Sequence, residues 1–348
     1  MVQLCKADLA TAGLLSVLRR HLGGKGSGVE KLRLTHSTIS PRMEVLSDTA
    51  SYVDLMIRGR SRVIATAVIK SPDGVALVDP GPSSCLATLR AALSDAGVAV
   101  ADVRALLLTH IHLDHAGATG SLLRENPDIE VYVHERGAPH MIDPTKLIAS
   151  ATRLYGDNMD SLWGEFLPVP EESVRVLTGG ERIKVAERTF EVAYTPGHAS
   201  HHVSFFDGGS GVAYVGDVAG VRTGKELFVM PPTPPPDINI EVWKESVALI
   251  RQWQASTLFV THYGAHKDPE AHLDVLEKHL AAMKEMARDC ILEGGDARVR
   301  QQRFVDRMVT YLERHIPQNE AGLYGTAAPI DQCWLGLVRY WQKYGELE

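Results

Sequence analysis

Short apolar runs alternate along the chain with polar turns, and the spacing of the runs changes with position. Val63-Ile64-Ala65-Thr66-Ala67-Val68-Ile69 and Val75-Ala76-Leu77-Val78 flank Pro72-Asp73-Gly74, which predicts two strands joined as a hairpin. Leu86 to Ala96 sets Leu86, Leu89 and Leu93 on one face of a helix. Further strands are predicted at Val103 to Leu108, Ile129 to His134, Thr189 to Tyr194, Gly211 to Val215 and Thr257 to Val260, with a short helix from Gly117 to Arg124. Between Gly137 and Phe166, Met141, Leu147, Ile148, Leu154, Tyr155, Met159, Leu162, Trp163 and Phe166 recur at near-helical intervals. Helix packing accounts for most of them, and an aromatic-rich insertion also predicts a moderately hydrophobic substrate channel. Beyond Ala265 the periodicity is helical only, over Pro269 to Leu292, Ala297 to Ile316 and Cys333 to Gly345. Alternating strands and helices predict an α/β class with mixed sheets, here followed by a helical extension.

The turns that close these strands carry the chemistry. Val75 to Val78 runs into Asp79-Pro80-Gly81, and Val103 to Leu108 into Thr109-His110-Ile111-His112-Leu113-Asp114-His115. Downstream, similar runs end in Thr195-Pro196-Gly197-His198, Gly216-Asp217 and Thr261-His262. A solvated surface turn draws on Gly, Asn, Asp and Ser rather than on clustered histidine. Imidazole and carboxylate gathered at strand ends suit divalent zinc, iron or manganese. No G-x-S-x-G nucleophile motif occurs in the chain, so attack by an activated water is the expected chemistry.

In order and spacing, Asp79, His110-x-His112-x-Asp114-His115, His198, Asp217 and His262 resemble the metallo-β-lactamase-fold hydrolases, over roughly residues 60 to 265. Within that superfamily the set looks most like the glyoxalase II and lactonase-type dimetal members. The resemblance implies a four-layer αββα sandwich with its site at one edge of the two sheets. It also implies that His110, His112 and His198 hold one metal and that Asp114, His115 and His262 hold another. Asp217 would bridge them together with a hydroxide, and Asp79 would orient ligands through hydrogen bonds. Asp114 and Asp217 are then the catalytic carboxylates, and the cofactors are two divalent ions, zinc foremost, with iron or manganese as alternatives.

The implied reaction is cleavage of a carboxyl ester, lactone or thioester. A phosphodiesterase or phosphotriesterase on the same centre is the alternative, since either oxyanion would be stabilised there. A non-haem di-iron redox protein is the reading from a different class. Flavodiiron relatives usually carry Glu where His112 stands and add a flavin domain, and neither feature is found here. True β-lactamases of the common type replace some of these ligands, and a non-catalytic binding module would show a degenerate set. Glyoxalase II has basic side chains in its C-terminal helices that support glutathione binding; only Arg298, Arg300 and Arg303 come near that pattern, which speaks against a glutathione thioester.

Composition narrows the surroundings. The 348 residues are 45% hydrophobic and 23% charged, with a formal net charge of −7, which fits a water-soluble enzyme acting on a small molecule rather than on nucleic acid. No apolar run approaches the length of a membrane span. Cys5, Cys85, Cys290 and Cys333 form no C-x-x-C pair, so reduced thiols and a cytoplasmic location are expected. Residues 1–42 read as a basic, non-catalytic leader, with translation expected to start near Met43; residues 43–265 read as the catalytic domain, with 137–166 as a helical insertion, and 266–348 as a helical region that completes the pocket or forms a homodimer interface. The proline-rich stretch Phe228 to Asp237 is expected to be a stiff loop rather than a peptide ligand for another domain. Among other histidines, His202 is expected to pack against the site, His201 and His266 to be surface or supporting groups, and His134 is a candidate substrate contact. Tyr194 and Tyr263 neighbour ligand positions and are expected to face away from them.

Overall fold

Burial on both faces explains why the strands read as nearly continuous apolar runs. The computed structural model describes residues 43–345, and the expected leader at 1–42 lies outside the described residues, as does Cys5. One sheet contains, in order, β1 (Met43–Val45), β2 (Ala50–Asp54), β3 (Ala65–Ser71), β4 (Gly74–Val78), β5 (Val103–Leu107), β6 (Glu130–His134) and β7 (Val174–Leu177). It is antiparallel from β1 to β4 and parallel from β4 to β7. The other sheet runs β13 (Gly264–His266), β12 (Thr257–Val260), β11 (Val212–Tyr214), β10 (Val203–Asp207), β9 (Arg188–Tyr194), β8 (Arg182–Val185). Its strands are antiparallel except for β11 and β12, which are parallel.

The period-two alternation of strands assigns each side chain to a layer. On β4, Ala76 and Val78 point between the sheets, where they meet Phe190, Phe205, Tyr214 and Phe259. Val75 and Leu77 point outward into a second core. That core is covered by α1 (Leu86–Asp95), α2 (Leu113–Ala116), α3 (Thr119–Glu125), α4 (Ala138–Ile142), α5 (Thr145–Tyr155) and α6 (Met159–Leu162). Likewise Phe259 of β12 points inward while Leu258 and Val260 point into a third core around Trp243, Leu276, Phe304 and Trp334. The helices there are α7 (Ile240–Gln252), α8 (Pro269–Leu292), α9 (Ala297–Glu313), α10 (Gln318–Ala327) and α11 (Ile330–Tyr344). Three cores separate four layers, helix–sheet–sheet–helix, as an αββα sandwich requires.

Several elements differ from the sequence expectation. In the 137–166 segment, Leu147, Tyr155, Met159, Leu162 and Phe166 pack against the outer core of the first sheet, so helix packing does account for most of that apolar stripe. Strands β7 and β8, Val-Arg-Val-Leu and Arg-Ile-Lys-Val, have no apolar run because they are sheet edges with largely solvated side chains. Helix α7 is announced by its N-cap, Asn239, whose side chain accepts from the Val242 N–H at 3.3 Å. The loop after β11 buries Phe228 through Thr233 in this fold's interior, while Pro236 and Asp237 are exposed. Cys85, Cys290 and Cys333 are buried and unpaired, and no helix among the described residues is long and apolar enough to cross a membrane.

The inter-sheet core gives a direct test of this layering. Phe190 is fully buried between the sheets, and Phe190→Ala is expected to cost about 3–5 kcal/mol. Denaturant unfolding should show the midpoint falling with an unchanged slope; a loss under about 1 kcal/mol would mean that this core is not packed as described.

Candidate metal centre

The ends of β4, β5, β9, β11 and β12 bring Asp79, the 109–115 turn, His198, Asp217 and His262 into one volume. After β5 the chain bends at Thr109 and reaches His112, an extended residue that is the N-cap of the single-turn helix α2. That turn carries Asp114 and His115 toward His262, with the His115 ring 4.0 Å from that of His110. Gly216, at φ 44°, lets the chain pass the base of this turn: a Cβ there would lie 2.5 Å from Thr109 Oγ1 and 2.9 Å from His202 Nε2.

Three groupings of nitrogen and oxygen donors result, each with its atoms within 4.8 Å of one another: His110, His112 and His198; Asp114, His115 and His262; and, linking them, His110, His115 and Asp217. His112 Nδ1 lies 3.0 Å from both His110 Nε2 and His198 Nε2. In the other set, His262 Nε2 is 3.3 Å from Asp114 Oδ2. Asp217 faces both: Oδ1 is 3.3 Å from His115 Nε2 and 3.6 Å from His262 Nε2, while Oδ2 is 3.5 Å from His198 Nε2. All eight positions singled out in the sequence are therefore at this one place.

What aims these imidazoles is the bond each makes with its other nitrogen. His115 Nδ1–H donates to Asp79 Oδ2 at 2.8 Å, His198 Nδ1–H to the Pro232 carbonyl at 2.9 Å, and His262 Nδ1–H to the Val63 carbonyl at 2.6 Å. Each bond fixes a tautomer that leaves an Nε2 lone pair facing the cluster. His110 Nδ1 is 3.1 Å from Thr109 Oγ1. Asp79 also accepts from the Thr109 N–H, Thr109 Oγ1 and Thr261 Oγ1, and it is fully buried.

The electrostatics divide the centre. Burial, reinforced by neighbouring imidazoles, holds His110 well below the ordinary histidine range and His112 at about 4; burial also lowers His198. These rings are neutral at pH 7, the form that ligates a cation. Burial pulls on His115 and His262 too, but Asp217 foremost, with Asp114 and, for His115, Asp79, raises both. Burial opposes ionisation of Asp114, yet His115 and His262 bring it down to about 2, and His115, His262 and His198 hold Asp217 well below the carboxylate range. His115 Nε2, His262 Nε2 and Asp217 Oδ1 are nonetheless buried without a hydrogen-bond partner. Orphaned atoms in a dry site are costly, and nitrogen and carboxylate donors converging at these distances fit divalent cations.

Other residues fall into place around the donors. His202 is buried against His110, ring centroids 5.1 Å apart, with Nδ1 at 2.9 Å from Thr195 Oγ1. His201 is closer to the centre than a surface group would be: its partly exposed ring lies 5.6 Å from that of His112 and accepts weakly from the Ile111 N–H at 3.5 Å. Its position three residues after His198 was the available signal. His134 is not among the donors; it is buried and stacked on Tyr194 at 4.3 Å. The Tyr194 hydroxyl donates to the Ser200 carbonyl and that of Tyr263 to Glu44, so both tyrosines are engaged elsewhere. Val63 and Pro232 were not foreseen, because a backbone carbonyl acceptor leaves no mark on side-chain identity.

Residues 61–262 match the sequence model of the metallo-beta-lactamase superfamily. A metallo-beta-lactamase fold-containing protein of Sulfurisphaera tokodaii is 28% identical over 181 residues, covering 51% of this chain and 65% of that protein. The hydroxyacylglutathione hydrolase of Legionella pneumophila strain Lens is 26% identical over 188 residues, 53% of this chain and 56% of the enzyme. The chain thus spans less than two thirds of the length of these curated relatives. Among solved structures, metallo-beta-lactamase family proteins from Thermus thermophilus and Sulfolobus tokodaii superpose with TM-scores of 0.59 and 0.57, each at 22% identity. They cover 81% and 80% of this chain and 89% and 93% of their own, a likeness of fold.

Asp79 sits at φ 49°, a left-handed conformation that asparagine tolerates and alanine does not favour. Asp79→Asn therefore keeps the backbone while removing the charge that holds His115. Metal affinity, read by competition with a chromophoric chelator, is expected to fall about 10–100-fold; unchanged affinity would remove Asp79 from the orienting role.

Proposed function

The chain belongs to the metallo-β-lactamase superfamily, and on that premise we propose that it is a metal-dependent hydrolase of a carboxyl ester, lactone or thioester, built on two divalent ions. The carrying observation is that Asp217 presents one oxygen to His198 of the all-histidine set and the other to His115 and His262 of the mixed set. In this reading His110, His112 and His198 would hold one ion and Asp114, His115 and His262 the other, with Asp217 available to both. Zinc suits this imidazole-rich, carboxylate-containing set best, with iron or manganese as alternatives. When bound, such a pair supplies Lewis acidity that lowers the pKa of water to about 7 and polarises the scissile carbonyl.

The residues of the chain supply the rest. Asp217, which faces both donor sets, would orient the attacking water. Asp114, whose side chain is 20% exposed, against 5% or less for Asp217, His115, His198 and His262, is the carboxylate that solvent and substrate reach. Held ionised by His115 and His262, it is a charged acceptor that orients the entering water and the leaving group. His112 is also partly exposed, so substrate approaches on the side of Asp114 and His112, with His201 alongside. Arg303 and Arg307 are committed to Glu293 and to main-chain carbonyls or Cys290. Of the three arginines that come near a glutathione-binding pattern, Arg303 is thus held within the helical region.

Two measurements decide the reading. Elemental analysis is expected to find up to two equivalents of metal, and less than one after reconstitution with zinc, manganese or iron would sink it. A panel of lactones, thioesters, aryl esters, phosphodiesters and cephalosporins should then show turnover among the carboxyl substrates. Predominant phosphodiester cleavage would reassign the substrate class while leaving the centre intact. Removal of one preorganised electrostatic group costs about 10²–10³ in kcat, and Asp217→Ala, which strips a group from both donor sets, is expected to lose at least that much with an unchanged circular dichroism spectrum. Retained activity would refute its role.

A further inference from the structure

The helix farthest along the chain reaches one of the donors through a buried path. His198 Nδ1–H donates to the Pro232 carbonyl at 2.9 Å. The next residue, Thr233, is fully buried, and its hydroxyl donates to the Cys333 carbonyl in the first turn of α11 at 3.2 Å. One turn farther on, Gly336 lies directly against the same loop: a Cβ there would stand 2.0 Å from the Thr233 oxygen and 2.9 Å from the Pro234 carbonyl carbon. Both obstacles are backbone, so neither can swing aside. Pro231, Pro232, Pro234, Pro235 and Pro236 leave the loop few torsions with which to absorb a push.

Helix α11 is itself fastened on its other sides. The Trp341 indole N–H donates to the Lys284 carbonyl of α8, and the Tyr340 hydroxyl to Glu241 of α7. Trp334 packs on Phe304 of α9 at 5.3 Å. A shift of the loop relative to α11 would therefore be taken up at Pro232, and His198 would follow it.

We propose that α11, through Gly336 and Thr233, is a positioning element for His198, setting the location of the Pro232 carbonyl that aims this imidazole. The inference rests on the reading of His198 as a metal ligand. It makes the C-terminal helical region part of the centre's outer support, and it makes the smallness of residue 336 a requirement of metal binding as well as of packing.

The test is stepwise titration of the full-length, metal-free protein with Co(II), following both binding constants by the visible spectrum and by calorimetry. His198→Ala first identifies which constant belongs to the set containing His198. Gly336→Ala and the milder Thr233→Val are expected to weaken that constant about tenfold or more, toward the 10–100-fold loss typical of outer-sphere partners, and to leave the other within about threefold. Thr233→Ser, which keeps the hydroxyl, should restore it. A structural role alone would lower the melting temperature and move both constants together or neither, and either result overturns the proposal. If Gly336→Ala fails to fold, Thr233→Val and Thr233→Ser decide the matter. If His198→Ala leaves both constants unmoved, the ligand reading fails along with the inference. If His198→Ala removes one constant while the position 233 and 336 variants do not touch it, only the inference fails.

Discussion

A single buried carboxylate couples the two sheets to the donor cluster. Asp79 leaves the end of β4 and accepts from the Thr109 N–H and Oγ1 after β5, from Thr261 Oγ1 after β12 in the opposite sheet, and from His115 Nδ1. Its own main-chain carbonyl accepts from Thr66 Oγ1 of β3. A carboxylate without solvent is tolerable only when its lone pairs are filled, and here each filling donor comes from a segment that also carries a histidine of the cluster. Satisfying Asp79 thus fixes the 109–115 turn, His262 and the mutual approach of the sheets together. The αββα packing and the centre are consequences of one network rather than separate achievements.

The same logic extends outward in a less visible form. His198 and His262 are aimed by the carbonyls of Pro232 and Val63, which belong to loops, while His115 is aimed by a charge from a strand end. The all-histidine set is neutral because burial keeps protons off it, helped at His110 and His112 by neighbouring imidazoles. The mixed set attracts protons because its carboxylates outweigh burial at His115 and His262. A cation would replace those protons in the mixed set and fill unprotonated lone pairs in the other, so the two halves should differ in how strongly pH competes with metal.

The sequence disclosed the strands and helices that have an unbroken apolar signal, and it disclosed the donors because histidine is scarce and their turns follow such strands. Helix α8 was read with the bounds found in the structure. Legibility ended where the signal was diluted. Helix α10, Gln-Asn-Glu-Ala-Gly-Leu-Tyr-Gly-Thr-Ala, contains two glycines and no clear stripe, and its place is set by Tyr324, whose hydroxyl bonds the Phe228 carbonyl. Strands β7 and β8 are edges and lack a continuous apolar run. The outer partners Val63 and Pro232 act through backbone oxygens, and the approach of Gly336 to Thr233 is a contact across about a hundred residues. Glycine in a helix reads locally as a weakness; only the neighbouring loop explains it.

The centre's donors belong to the rigid sheet ends, so discrimination among substrates falls to what surrounds them. The insertion and the C-terminal region do not act there independently. Tyr155, the last residue of α5, is 3.4 Å from Gln332 in α11 and stacks edge-on against Trp163. Leu323 and Ala327 of α10 pack against the same core as Tyr155. Burial raises the Tyr155 pKa, and the Asp114 carboxylate adds to the shift. Helix α11 therefore makes two contacts around the centre, through Gln332 with Tyr155 and through Cys333 and Gly336 with the loop that holds His198. A substitution on this helix that disturbs Gln332 therefore also bears on the loop whose Pro232 carbonyl holds His198. Change along this helix is correspondingly constrained: Gln332 and Gly336, four residues apart on one helical face, meet Tyr155 and the Thr233 backbone, so neither contact can be altered without regard to the other.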